Sequence, residues 1–235
     1  MRIREGVFQF LDEIGAEKVL YVHDPKTKMK GILVVDNTAR GPGIGGVRMA
    51  PDVSTEEVFR LARAMTFKSA AADIPHGGGK SGIIADPKSQ NKHELVRAFA
   101  RAIGPIAEYI PGPDMGTDEG CMAVVYDEIG RAVGLPREIG GIPLDEIGST
   151  GYGVVASTEV ACEYVLLDLS KASVAVEGFG AVGKAAVKFL TEKGARVVAV
   201  SDSKGAIYQP DGLDYEKLLK VKETMGAVKN YEGGQ

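Results

Sequence analysis

The stretch SVAVEGFGAVGKAAVKFLTEKGARVVAVSD, residues 173–202, constrains the fold of this chain more than any other. An apolar β-branched run leaves into a glycine turn, a helical pattern follows, and a second apolar run ends at Asp202. Strand, helix and strand at this spacing form a right-handed crossover, the building unit of a doubly wound parallel sheet. Gly178, Gly180 and Gly183 in GFGAVG have the dinucleotide-binding spacing, and the motif leaves a strand and opens a helix as that chemistry requires. Gly178 permits the tight turn, Gly180 lets backbone approach a pyrophosphate, and Gly183 lets helix pack on strand. The helix start, with Phe179, Ala181 and Val182 around these glycines, offers unpaired N–H groups to the anion. Asp202 is placed to accept hydrogen bonds from a ribose 2′-hydroxyl, which favours NAD. Ser203 and Lys204 beside it are able to contact a 2′-phosphate, so NADP is possible.

The rest of the 235 residues is mixed α/β. A helix is expected over about 4–15 from Val7, Phe8, Leu11 and Ile14, then a hairpin of KVLYVHD and KGILVVD joined by PKTK. A glycine-dense loop, ARGPGIGGVRM, precedes a helix opened by the capping box Ser54 and Glu57. KSGIIAD reads as a buried strand, followed by a helix over 91–103, an extended YIPGPDMG and a helix over 117–131. The character changes near 148. This gives a substrate domain over 1–148 and a partial dinucleotide domain over 149–235.

With 26% charged residues and a net charge of −4, the chain has no electrostatic footprint for nucleic acid. No run reaches the roughly 18 apolar residues of a membrane span, and the N-terminus lacks a secretory pattern. A soluble cytoplasmic protein is expected. Cys121 and Cys162 lie in apolar helical patterns, and His23, His76 and His93 are isolated in sequence from one another and from any cysteine. No zinc-ligand spacing is present, so no metal is expected.

HGGGKSGII, residues 76–84, resembles a phosphate loop only superficially. Ile74 stands where that loop needs its first glycine, and helix and strand come in the reverse order. Lys80 therefore needs another task. MTFKSAAADIPHGGGKSGII is nearly free of other charge, so Lys68 and Lys80 are framed by apolar and small residues. A lysine in such a setting with a second cation nearby has a depressed pKa, as a general base requires. Lys68, Lys80 and Asp114 are the candidates for substrate holding and proton transfer; the bland alternative is three solvated surface charges.

GPGIGGVRM, MTFKSAAADIPHGGGKSGI, PGPDMGTD, STGYGV and GFGAVG occur in one order, and together they resemble the Glu/Leu/Phe/Val amino-acid dehydrogenase family. The resemblance implies oxidative deamination of an L-amino acid to a 2-oxo acid and ammonia with NAD(P) reduction. It places the reaction in a cleft between a substrate domain and a Rossmann-like domain. It implies that Lys68 holds the α-carboxylate with backbone at Gly45 and Gly46, and that Lys80 activates water and stabilises the carbinolamine. Asp114 would relay protons to and from the substrate nitrogen, and Thr150 would lie at the cofactor. It further implies a homo-oligomer, hexamer or octamer, with the first domain carrying most subunit contacts.

Glutamate-specific members normally have a lysine at the position of Ile44, pairing with the substrate's side-chain carboxylate. An aliphatic residue there leaves such a charge uncompensated, at a cost of several kcal/mol. A branched-chain or other apolar L-amino acid is therefore expected, with glutamate as the alternative. Residues 149–235 suffice for only the first half of a doubly wound domain, which has about six strands. Three expectations follow: a fragment, a split protein completed by a second polypeptide, or a homologue that binds or assembles without catalysis.

Overall fold

The computed structural model describes residues 6–234, with Asp145 by backbone only. The chain forms two units, residues 1–143 and 144–235, so the first turn of helix past Pro143 belongs with the second unit.

In the first unit β1 (Lys18–Asp24) and β2 (Met29–Asn37) form the expected antiparallel hairpin, turning through Lys28 at φ +64°. β3 (Gly43–Ala50) comes next, then α1 (Thr55–Ala71), β4 (Gly77–Ile84), α2 (Lys92–Ile103), β5 (Tyr109–Pro113) and α3 (Glu119–Ile129). The sheet order is β1-β2-β4-β3-β5, with β4 antiparallel to β2, and β3 parallel to both β4 and β5. One face carries α1, whose Val58, Phe59 and Ala62 cluster with Ile32 and Val34 of β2 and with Val53. The opposite face packs Leu33, Val35, Val47, Met49 and Ile83 against Phe99 of α2 and Cys121 and Met122 of α3. Burying a side chain such as Phe99 contributes roughly 1.5–3 kcal/mol.

Two expectations change here. The glycine-dense segment taken as a loop is the interior strand β3, and the glycines before Lys80 are strand residues as well. The reason is steric: a Cβ on Gly45 would overlap the carbonyl oxygen of Gly79, so glycine on each strand lets the parallel backbones approach. The expected first helix also fails to extend. Residues 4 and 5 lie outside the described residues, Gly6–Phe10 is a single 3₁₀ segment, and Asp12 then turns the chain by accepting from the backbone N–H of Ile14 and Gly15.

α1 has its cap as read: Ser54 Oγ accepts from Glu57 N at 3.2 Å. Arg63 on this helix forks onto Asp36 and Asp12, and so fastens the N-terminal segment to the sheet.

In the second unit α4 (Leu144–Ile147) and α5 (Ser149–Tyr164) lead to β6 (Ser173–Glu177), α6 (Ala181–Glu192), β7 (Arg196–Asp202), β8 (Gly205–Tyr208) and α7 (Tyr215–Met225). β6 and β7 are parallel and joined by α6, the crossover read from the sequence. β8 folds back antiparallel on β7 through the Ser203–Lys204 turn, an addition the sequence reading lacks. The core collects Val155 of α5, Phe179 of the glycine turn, Val187 and Leu190 of α6, Val197 and Val200 of β7, Ile207 and Leu218. Among the described residues, β6 pairs with β7 alone, and no helix is long and apolar enough to cross a membrane.

Candidate functional site

Strand alternation builds the site of the first unit. Side chains at positions 44, 46 and 48 of β3 share a face, and a Cβ on Gly46 would lie 2.6 Å from Asp114 Cβ and 3.0 Å from Lys80 Nζ. Glycine at 46 thus makes the room in which an amine and a carboxylate meet. Lys80 projects from β4, 5% exposed, and its Nζ lies 3.0 Å from Asp114 Oδ2. Asp114 follows β5 directly. A tight turn fixes it: its N–H donates to Thr117 Oγ1 at 2.9 Å, and Thr117 Oγ1 donates to Val47 O of β3 at 2.8 Å.

Arg48, which the sequence reading passed over inside GGVRM, completes the group. Its Nε donates to Asp114 Oδ2 at 2.8 Å and its Nη1 to Glu57 Oε1 at 2.6 Å. Burial is the main influence on Lys80 and drives its pKa below the ordinary lysine value; Arg48 and Lys68 push the same way, and Asp114 resists. Burial would raise Asp114, but the Arg48 hydrogen bond and the Lys80 charge outweigh it, and the carboxyl lies below its usual range. Lys68 sits exposed in the last turn of α1, close enough for its charge to act on Lys80. Three cations against Asp114 and Glu57 leave a positive excess suited to an anionic ligand. Beneath the strands, buried Tyr109 Oη donates to Gly45 O at 2.8 Å and lies 3.0 Å from Ser81 Oγ. It ties β5, β3 and β4 together at the site, and nothing in its own sequence context marks it. Ile44 is half-buried on β3, opposite Gly78 and Ile110.

The second unit carries the glycine turn. Gly178 has φ +93°, where a side chain is strained, and its N–H donates to Ser201 O at 3.1 Å. A Cβ on Gly183 would overlap Gly178 O, so that glycine serves the turn's own packing. Gly180, the N-cap of α6, is different: a Cβ there would meet nothing. The packing of the chain itself does not require glycine at 180. Ala181 and Val182 are exposed in the first turn of α6, Phe179 is buried in the core, and Thr150 lies beside Ala181 and Val182 in a shallow groove with Gly148 and Gly151. These residues fit a dinucleotide's diphosphate at a helix start.

Asp202 departs from its expected role. Its Oδ2 accepts from Lys222 Nζ at 2.7 Å and Val228 N at 2.9 Å, and its Oδ1 from Lys204 N at 2.7 Å. The carboxylate is pulled inward, 4% exposed, with its pKa lowered to about 2, chiefly by the Lys222 hydrogen bond. It fastens β7 to α7 and is not free to meet a ribose. Ser203 and Lys204 remain exposed at the strand end. The isolation of the histidines also holds only along the sequence: the fold brings His93 to Asp118 and Cys121.

The chain matches two family models. The Glu/Leu/Phe/Val dehydrogenase dimerisation domain matches over residues 16–131, and the glutamate/leucine/phenylalanine/valine dehydrogenase domain over residues 140–235. The chain belongs to the Glu/Leu/Phe/Val dehydrogenase family. A family member named glutamate dehydrogenase in Aeropyrum pernix is 44% identical over 214 residues, spanning 85% of this chain and 51% of that one. The chain spans about half the length of the curated relatives it matches. Among solved structures, the hetero-hexameric glutamate dehydrogenase of Thermus thermophilus in its Leu-bound form superposes with a TM-score of 0.83 at 32% identity, over 92% of this chain and 57% of that one. L-tryptophan dehydrogenase of Nostoc punctiforme gives 0.61 at 29% identity, over 94% and 60%.

Proposed function

We propose that this chain carries the substrate site and the diphosphate site of an NAD(P)-dependent L-amino-acid dehydrogenase: amino acid, water and NAD(P)⁺ give 2-oxo acid, ammonia and NAD(P)H. The observation that carries it is the buried Lys80 amine 3.0 Å from the Asp114 carboxylate, beside a net positive cluster. Lys68 and the backbone at Gly45 and Gly46 hold the α-carboxylate, with the local excess of cations favouring an anion. A bound nicotinamide cofactor would supply the acceptor for the hydride of the α-carbon. Lys80, its proton affinity lowered by burial and by Arg48 and Lys68, takes a proton from water as that water adds to the imine carbon. The protonated amine then stabilises the oxygen of the carbinolamine. Asp114, which takes a proton from the substrate ammonium before the hydride leaves, gives it to the departing nitrogen and receives the hydroxyl proton as the carbonyl forms; Arg48 holds its carboxylate toward that position.

For the side chain of the substrate, the names of the relatives support glutamate. A second reading rests on Ile44, which shares the face of Gly46 and Arg48 and brings no charge to a γ-carboxylate; it favours an apolar amino acid. For the cofactor, relatives named NAD-specific and NADP-specific both occur. The inward Asp202 with exposed Ser203 and Lys204 leaves room for either. The dimerisation-domain match supports self-assembly through the first unit.

The test follows reduced nicotinamide with glutamate, leucine, valine and phenylalanine, in parallel with calorimetry of the corresponding 2-oxo acids. Turnover, or oxo-acid binding that is lost in Lys68→Ala, supports the reading. Neither turnover nor binding, or a Lys80→Ala protein as active as the parent, overturns it.

A further inference from the structure

A second cluster of chemically capable side chains lies on the opposite face of the first sheet, outside the group around Lys80. α2 and α3 start side by side there. Lys92 of α2 reaches Asp118, the N-cap of α3, at 2.8 Å, and Arg97 further along α2 reaches Asp127 and Glu128 of α3. His93 is exposed on the first turn of α2, Asp118 is exposed, and Cys121 is fully buried with a free thiol. One imidazole nitrogen, one carboxylate oxygen and the Cys121 sulfur all lie within 4.8 Å of one another.

From this juxtaposition we infer that His93, Asp118 and Cys121 form a binding site for a divalent transition ion of zinc type. The donor set is of the right chemistry: imidazole, carboxylate and thiolate are the three ligand classes zinc takes. A thiolate and a carboxylate balance the ion's two charges, so the occupied site is neutral. Tetrahedral bonds of about 2.0–2.3 Å hold ligand atoms roughly 3.5 Å apart. The closure needed falls on the exposed His93 ring, the member with the most freedom to turn. Asp118 is already oriented, because its Oδ1 accepts from Cys121 N at 2.8 Å, which sets carboxylate and sulfur on one side of the α3 start. Three protein ligands leave a fourth position for water or an outside ligand.

The charges around the cluster support the inference. A cation already occupies the cluster: the Lys92 ammonium sits on Asp118 Oδ2. That oxygen is the one a metal would take, and a flexible lysine is able to leave it for solvent. Lys92 is thus a built-in competitor, and its removal has a definite sign. Binding also reaches the Lys80 site through the chain, since Asp118 follows Thr117, whose hydroxyl fixes Asp114. An ion here would stiffen the segment that carries the proposed proton relay.

The test is a titration of the reduced, metal-free full chain with Co²⁺, whose bond to thiolate gives a charge-transfer band in the near ultraviolet. The expected result is a band saturating at one equivalent, displaced by Zn²⁺ and absent in Cys121→Ser. His93→Gln should weaken binding about tenfold or more, and Lys92→Gln should tighten it. The exposed His93 and half-buried Lys92 substitutions keep the test sound if the Cys121 variant fails to fold. No band, a band that survives Cys121→Ser and vanishes in Cys162→Ser, or affinity unmoved by both His93→Gln and Lys92→Gln overturns the inference.

Discussion

Lys80 Nζ stands 3.0 Å from Asp114 Oδ2, and the same oxygen accepts from Arg48 Nε at 2.8 Å. One carboxylate oxygen therefore serves two cations of different kinds. Arg48 is charged at all accessible pH, so Lys80 is the member able to exchange a proton.

The signs of three substitutions follow from that arrangement. Asp114 is the neighbour that raises the Lys80 pKa, while Arg48 and Lys68 lower it. Asp114→Asn should move the Lys80 titration to lower pH; Arg48→Gln and Lys68→Gln should each move it to higher pH. NMR of lysines ¹³C-labelled at Cε measures this directly. Turnover, which needs the neutral amine, should rise with pH through the same midpoint, and Arg48→Gln should shift that limb upward. A Lys80 midpoint indistinguishable from exposed lysines would defeat the assignment.

The glycines of β3 give a second prediction. A Cβ at 45 meets the backbone of β4, which no side-chain rotation relieves, so Gly45→Ala should destabilise the first unit by about 1–3 kcal/mol. At 46 the clash is with Asp114 Cβ and Lys80 Nζ. Gly46→Ala should separate the pair, and with Asp114 no longer raising it the Lys80 midpoint should move to lower pH, as in Asp114→Asn. Calorimetric melting and the same NMR signal read the two effects apart.

Ile44 sorts the two substrate readings. Placing an ammonium on the face shared with Gly46 and Arg48 should favour a second carboxylate in the ligand. Ile44→Lys is expected to shift the binding ratio of 2-oxoglutarate over an aliphatic 2-oxo acid by about tenfold or more toward the former, since charge-assisted hydrogen bonds contribute roughly 1.5–3 kcal/mol. An unchanged ratio by calorimetry would show that position 44 does not reach the ligand's side chain.

Much of this was legible because local signals and the fold agree. The crossover through GFGAVG and the Ser54 cap of α1 arise from periodicity and cap chemistry, and a charge-poor context is what singles out Lys80. The misreadings share one cause, that glycine looks the same in a loop and in a crowded strand. Only the approach of β3 to β4 and β5 makes GIGGVRM a strand. Arg48 and Tyr109 were missed because their importance lies in partners distant in sequence: Asp114 for one, Gly45 and Ser81 for the other. His93 and Cys121 escaped a spacing search for the same reason, since α2 and α3 bring them together across the sheet's helical layer.

Asp202 supplies the last prediction, because its position suggests one role and its bonds another. A free acid at the end of β7 would select NAD through the ribose; this one is spent on Lys222, Val228 N and Lys204 N. Asp202→Asn should therefore act first on stability, lowering the melting temperature of the second unit. The pKa falls from 3.8 to about 2 on folding, so the stabilisation is fully present above pH 3.8 and is lost as pH drops through about 2. The melting difference between parent and variant should be constant near neutrality, shrink below pH 3.8 and close near pH 2. Cofactor choice should respond instead to the exposed strand end: Lys204→Glu is expected to weaken NADP binding more than NAD binding, because a 2′-phosphate loses a cation and meets an anion. If Asp202→Asn left melting unchanged and altered only the NAD to NADP ratio, the carboxylate would be a ribose ligand after all, and the inward geometry would not be the one the cofactor meets.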